Sequence, residues 1–167
     1  TAGGYGSGYC YIDGLAFDKN GNLWMTSSEV NHAVLVLDKA GAWHRLDIEQ
    51  LRGVYTINDI LITSTNDKWI YVPRNTPKLV MIPNSESLDE VSSYEFTTLI
   101  DTDGKELTPS NYTCVAEDKD GYIWVGTNRG AVYFTKPRIS SAEDKAATRC
   151  TRVKYTNEET GNLAYFL

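Results

Sequence analysis

Histidine is nearly missing from this 167-residue chain, which holds His32 and His44 and no third. Neither has a second His, Cys or carboxylate at ligand spacing, so a zinc or iron centre of the usual kind is excluded. A nucleophile elbow is also missing, which removes the commonest serine-hydrolase arrangement. Cysteine is sparse: Cys10, Cys114 and Cys150 form no metal spacing and leave one thiol over in any single disulfide scheme. Cys114 occupies an alternating position in an apolar run and reads as a small buried thiol. Basic residues are outnumbered, 16 Lys and Arg against 22 Asp and Glu, for a net charge of −6. Such a surface does not neutralise phosphates, so nucleic acid is excluded as a partner. No stretch approaches the roughly 20 apolar residues that cross a bilayer as a helix. The chain shows neither an initiator Met nor a signal-peptide pattern. It opens Thr1-Ala2-Gly3-Gly4-Tyr5-Gly6-Ser7-Gly8, which reads as the inside of a larger protein, so compartment is left open. No cofactor is expected.

What the chain does have is a repeated block. Ala16-Phe17-Asp18-Lys19-Asn20-Gly21-Asn22-Leu23-Trp24 recurs as Ala116-Glu117-Asp118-Lys119-Asp120-Gly121-Tyr122-Ile123-Trp124, and a degraded copy ends Ser64-Thr65-Asn66-Asp67-Lys68-Trp69. A period of about 45–55 residues built from strand, turn and strand is that of propeller blades. The Asp-Lys-Asn-Gly and Asp-Lys-Asp-Gly turns are hairpin chemistry, with Asp and Asn bonding their own backbone and Gly supplying positive φ.

A first strand precedes each good turn, over 12–17 and 112–117. A second follows as Leu23-Trp24-Met25-Thr26 or Ile123-Trp124-Val125-Gly126-Thr127, with the β-branched and aromatic content of strands buried on both faces. Third strands are expected at 33–37 and 131–134, and a fourth at 42–46. The middle copy places strands near 56–62, 68–72, 78–82 and 94–100. Four antiparallel strands in about 40 residues make one blade. The fold class is therefore all-β, about three four-stranded blades of a six- to eight-bladed ring. The expected divisions are a blade over 1–50, a blade with an acidic insertion at 84–91 over 51–105, and a blade with an extended loop at 138–148 over 106–160. Residues 161–167 read as the start of a following blade. The one helix candidate is Ser141 to Ala147.

The run from Val115 to Gly130 resembles the two-component regulator propeller repeat, which fills the periplasmic sensor halves of hybrid two-component kinases. A wider set of residues is similar to PorZ-type surface components of the type IX secretion system. It includes Ala42-Trp43-His44, Asp67-Lys68-Trp69, Gly130-Ala131-Val132-Tyr133-Phe134 and the tail from Arg152 through Leu167. That resemblance implies an envelope location, periplasm or outer cell surface of a Gram-negative bacterium. It also implies a non-enzymatic role in secretion and surface attachment of cargo, with a surface sortase or an anionic lipopolysaccharide as partner. The kinase resemblance implies instead a sensor that recognises an oligosaccharide.

Asp18, Gly21, Trp24, Trp69, Asp118, Gly121, Trp124, Gly126 and Gly130 recur with the repeat and are read as structural, the three tryptophans packing between adjacent blades. Trp43 lies off that register and is the candidate sugar-stacking residue. Asp101-Thr102-Asp103-Gly104 and Asp118-Lys119-Asp120-Gly121 mimic the start of a calcium loop but lack its later ligands. No carboxylate pair stands out as a glycosidase acid and nucleophile. His44 is expected exposed on an outer strand. The partners expected at the sheet faces are the remaining blades of a parent ring, and the chain by itself is expected to self-associate through them.

Overall fold

Each apolar–turn–apolar stretch folds as an up-and-down meander. The computed structural model describes residues 11–156, 158 and 160–165. The first sheet holds β1 (Gly14–Phe17), β2 (Leu23–Thr26), β3 (Val34–Leu37) and β4 (Trp43–Leu46). After a 3-10 turn at Glu49–Leu51 comes the second, with β5 (Ile60–Ile62), β6 (Lys68–Val72), β7 (Lys78–Ile82) and β8 (Tyr94–Phe96). A hairpin of β9 (Leu99–Ile100) and β10 (Glu106–Leu107) leads to the third sheet. That sheet is β11 (Tyr112–Glu117), β12 (Ile123–Thr127), β13 (Gly130–Phe134) and β14 (Thr151–Arg152), with helix α1 (Ala142–Ala147) between its last two strands.

The antiparallel order within every sheet follows the chain, which is blade topology. The degraded middle copy closes its turn with Asn66 at φ 66° where the good copies use Gly21 at 85° and Gly121 at 80°. Asn is the residue that best tolerates this left-handed geometry after Gly.

Register places one row of each sheet against the next. Ala16, Trp24, Val36 and His44 lie side by side across the first sheet. Leu61, Trp69, Met81 and Tyr94 do so in the second, and Ala116, Trp124, Tyr133 and Thr151 in the third. Trp24 and Val36 share a core with Ile70, Val80 and Ile82, which joins sheets one and two. Trp69 and Met81 share another with Ile123, Val125 and Phe134, which joins sheets two and three. The middle sheet is thus covered on both faces, and all five residues of β6 are buried. Burying each apolar side chain of this kind contributes about 1.5–3 kcal/mol.

The outer sheets are covered on one face each. On the first, Phe17, Leu23, Leu37 and Trp43 form a cross-strand row facing away from the array, with Phe17 70% and Trp43 60% exposed. On the third, the Trp124 row faces away and Trp124 is half-buried.

Several expectations change. Cys114 is exposed, because it shares the outward face with Ala116 and Trp124 and lies opposite Gly126, while a β-bulge between Tyr112 and Cys114 returns Tyr112 to the buried face. The same bulge explains Gly126, where a Cβ would stand 2.5 Å from Thr113 Oγ1 and 2.6 Å from Cys114 Sγ. Leu163–Tyr165 is strand β16, and it pairs with β15 (Lys154–Thr156) in a hairpin. That hairpin follows β14 as β9–β10 follows β8. Phe166 and Leu167, like Thr1 to Cys10, lie outside the described residues.

Candidate functional site

The repeated aspartates are consumed locally. Asp18 Oδ1 accepts the backbone N–H groups of Asn20 and Asn22 at 2.9 and 2.8 Å, and Oδ2 accepts Trp24 Nε1 at 2.9 Å. Asp118 repeats this with Asp120, Tyr122 and Trp124 at 2.9, 2.9 and 2.7 Å. Asp38 does the same across the β3–β4 turn, binding Ala40 and Ala42 backbone and His44 Nε2. Burial pushes the Asp18 carboxyl upward, but the bonds from Trp24, Asn22 and Asn20 outweigh it and hold the acid below its usual 3.8. For Asp118 the Trp124 bond is the leading cause of a shift in the same direction. Asp101 likewise caps its own turn through Asp103 and Lys105. Each of these carboxylates is thus tied to its own turn by two or more hydrogen bonds. Among the described residues no three His, Cys, Asp or Glu side chains gather as a metal site.

The turns are also stitched to one another. Lys19 N–H donates to Asn66 Oδ1 at 2.9 Å, and its ammonium reaches the Ser64 carbonyl. Ser64 N–H in turn donates to Glu117 Oε2 at 2.6 Å. Each first turn thereby fixes the next around the arc. Lys68, buried beside this seam, holds its ammonium 4.4 Å from the Trp24 ring centroid. It stands where Leu23 and Ile123 stand in the other copies. Desolvation lowers its pKa, and the charges of Asp18 and Asp67 oppose that.

The first strands converge, β1 beside β5 and β5 beside β11. Where the first two meet, a cleft of about 320 Å³ is lined by Asp13, Gly14, Asn58, Asp59 and Tyr71, among others. Asp13 Oδ2 accepts both N–H and Oγ–H of Ser28 at 2.7 Å, and Ser28 Oγ accepts Ile57 N–H at 2.7 Å. Asn58 Nδ2 donates to the Tyr71 hydroxyl at 3.0 Å, which donates to the Thr113 carbonyl. A Cβ at Gly14 would lie 2.9 Å from Asp59 Oδ1 and Ile60 N, so glycine is what permits the close approach of the two sheets here. Two carboxylates and an amide held on a rigid rim suit a ligand that donates hydrogen bonds from several hydroxyls.

The structure distributes the sequence candidates as follows. Trp24 and Trp69 are buried between sheets, while Trp124 stacks on Tyr133 at 4.6 Å and faces outward. Gly21, Gly121 and Gly130 take positive φ. Trp43 is exposed, but it closes the apolar row of β1 to β4 and stands apart from the cleft. His44 is not on open surface: it lies 3.0 Å from Asp38 and 3.5 Å from Asp89, which raises its pKa. Cys150 is buried, and burial with the nearby Asp101 charge pushes its thiol up to about 11. Sequence reading missed the cleft residues Asp13, Asn58, Asp59 and Tyr71. Asp13, Asn58 and Asp59 sit in connections just before strands and Tyr71 inside β6, none with a repeated signature.

Comparison with known proteins agrees with the blade reading. The profile of the two component regulator propeller family matches residues 106–129. PorZ, a bacterial surface component of the type-IX secretion system of Porphyromonas gingivalis, superposes with a TM-score of 0.83 at 18% identity, over 99% of this chain and 23% of that one. The extracellular domain of BT3049, described as a hybrid two component system of B. thetaiotaomicron, gives 0.53 at 16% identity, over 93% of this chain and 20% of that one. The chain therefore has the β-propeller fold and spans 20–23% of the length of these structures. No curated protein matches it by sequence.

Proposed function

We propose that the chain is part of a non-enzymatic propeller scaffold in an envelope protein of the PorZ type. Its role would be to support type IX secretion and surface attachment of cargo through docking on a rigid ring. The observation that carries this reading is the breadth of the structural likeness to PorZ, 99% of the chain at a TM-score of 0.83. The repeated carboxylates, each spent on its own turn, support a scaffold over a hydrolase. Among the described residues no helix is long and apolar enough to cross a membrane, which fits a surface or periplasmic location. A surface sortase and an anionic lipopolysaccharide are the partners this reading assigns.

The second reading is a periplasmic sensor propeller of a hybrid histidine kinase that recognises an oligosaccharide. The family profile over 106–129 and the polar cleft at Asp13, Asn58 and Asp59 favour it. Deleting the parent gene separates the two. The scaffold reading predicts that type IX cargo no longer reaches the surface. Normal cargo display with a lost transcriptional response to an oligosaccharide would replace it with the sensor.

A further inference from the structure

We propose that the connection between β13 and β14, residues 135–150, forms a binding site for a phosphate monoester. The chain carries a net charge of −6, yet this segment holds Lys136, Arg138, Lys145 and Arg149 against Glu143 and Asp144. Lys136, Arg138 and Arg149 line one cleft of about 390 Å³ together with Thr102, Thr148 and Asp144. That volume lies in the range of small-molecule sites.

Basic residues on a surface usually find carboxylates, and in this cleft they do not. The ion pairs of the described residues join His44, Arg52, Lys78 and Lys154 to acids, and none includes Lys136, Arg138 or Arg149. The lining carboxylate, Asp144, is already engaged: Oδ2 accepts Ser140 N–H at 3.0 Å and Ser140 Oγ–H at 2.6 Å. Three cations therefore face the cleft with one hydrogen-bonded anion among them.

The backbone that carries them is fixed at both ends. Ile139 is buried in the core between sheets two and three. Cys150 N–H donates to the Ile100 carbonyl at 2.9 Å, and Thr102 N–H donates to the Cys150 carbonyl at 3.0 Å. In between, Ser141 caps α1 through Asp144 N–H, and Arg149 Nη1 is held by the Ala146 and Thr148 carbonyls. A preorganised guanidinium loses less freedom when it binds an oxyanion.

The chemistry selects the ligand class. No aromatic ring lines the cleft, so it lacks the stacking platform of a neutral sugar site. Guanidinium groups bind phosphate oxygens through paired N–H donors, a Lys ammonium adds a point charge, and the Thr102 hydroxyl serves a remaining oxygen, the Thr148 hydroxyl being donated to the Asp144 carbonyl at 2.8 Å. The volume leaves room for a sugar beside the phosphate. This site is separate from the cleft at Asp13 and stands or falls apart from the functional reading above.

The test is titration of the protein with glucose 1-phosphate and with glucose, following backbone amide shifts. The expected result is saturable shifts confined to 135–150 and Thr102 with glucose 1-phosphate, and none with glucose. Arg138→Ser should weaken binding about tenfold, as loss of a charge-assisted contact does. The double variant with Arg149→Ser should abolish it. Arg138 is exposed and joins none of these ion pairs, so that single variant keeps the test valid if the double one disturbs the loop. Equal shifts with glucose, unchanged affinity in Arg138→Ser, or no shifts at millimolar glucose 1-phosphate would each overturn the proposal.

Discussion

Thr63 stands where Asp18 and Asp118 stand in the other two blades, and it leaves the indole N–H of Trp69 buried with no protein acceptor. Thr63 Oγ1 still accepts Asp67 N–H at 3.0 Å, so the turn survives. What is lost is the second carboxylate oxygen, which in the other blades reaches the tryptophan six residues on.

Restoring it should stabilise the protein. Thr63→Asp is expected to add about 1 kcal/mol, the net worth of a typical hydrogen bond. Thr63→Asn should add nothing, because its second polar atom is a donor facing another donor. Denaturant melts of the two variants check this, and equal midpoints would count against the acceptor argument.

Removing the acceptor where it exists should cost more. Asp18→Asn is expected to lose about 1.5–3 kcal/mol at pH 7, the range for bonds to a charged group. Because the folded Asp18 carboxyl lies below 3.8, its contribution is complete above that pH and is lost as pH falls through the folded value. Wild type and variant should therefore converge in acid. A gap that stays constant down to pH 2 would contradict the assignment.

Tryptophans at the same repeat position should not be equal. Trp69→Ala removes a fully buried ring packed on Phe96 and Phe134 and is expected to cost roughly 3–5 kcal/mol. Trp124→Ala removes a half-buried ring from an outward face, and about 1–2 kcal/mol is expected in this chain. Comparable losses in urea melts would refute the one-sided packing of the third sheet.

Much of the architecture was legible from the repeat. The Asp-to-Gly turn, the strand on each side of it and the four-strand blade follow from hairpin chemistry and β-branched content. The Asp–Trp bond was equally present as a spacing of six, though its meaning appears only when the hairpin folds the second strand back beside the Asp that opens the turn. Cys114 misled because alternation alone does not say which face of an outer sheet is left uncovered. His44 misled on both partners: Asp38 stands six residues before it, at the Asp–Trp spacing, and Asp89 lies in the 84–91 insertion, far along the chain. The cleft at Asp13 and Asn58 was invisible, since two sheets must meet before those residues become neighbours.

His44 gives a pH signature. Its bond to Asp38 raises its pKa above 6.5, burial opposes this, and Asp89 adds to the increase. The stabilisation is complete below pH 6.5 and fades as pH rises through the folded value. The melting temperature should fall over that window, and His44→Gln should flatten the slope. An unchanged slope in the variant would assign the effect to another group.

The central claim is that the row with Phe17 and Trp43 and the row with Trp124 and Tyr133 are the two blade faces of an arc. Sedimentation velocity over a range of protein concentration tests it most directly. Head-to-tail association that grows with concentration and disappears in Phe17→Lys is the predicted result. A monomer at every concentration, with Phe17→Lys indistinguishable from wild type, would contradict it.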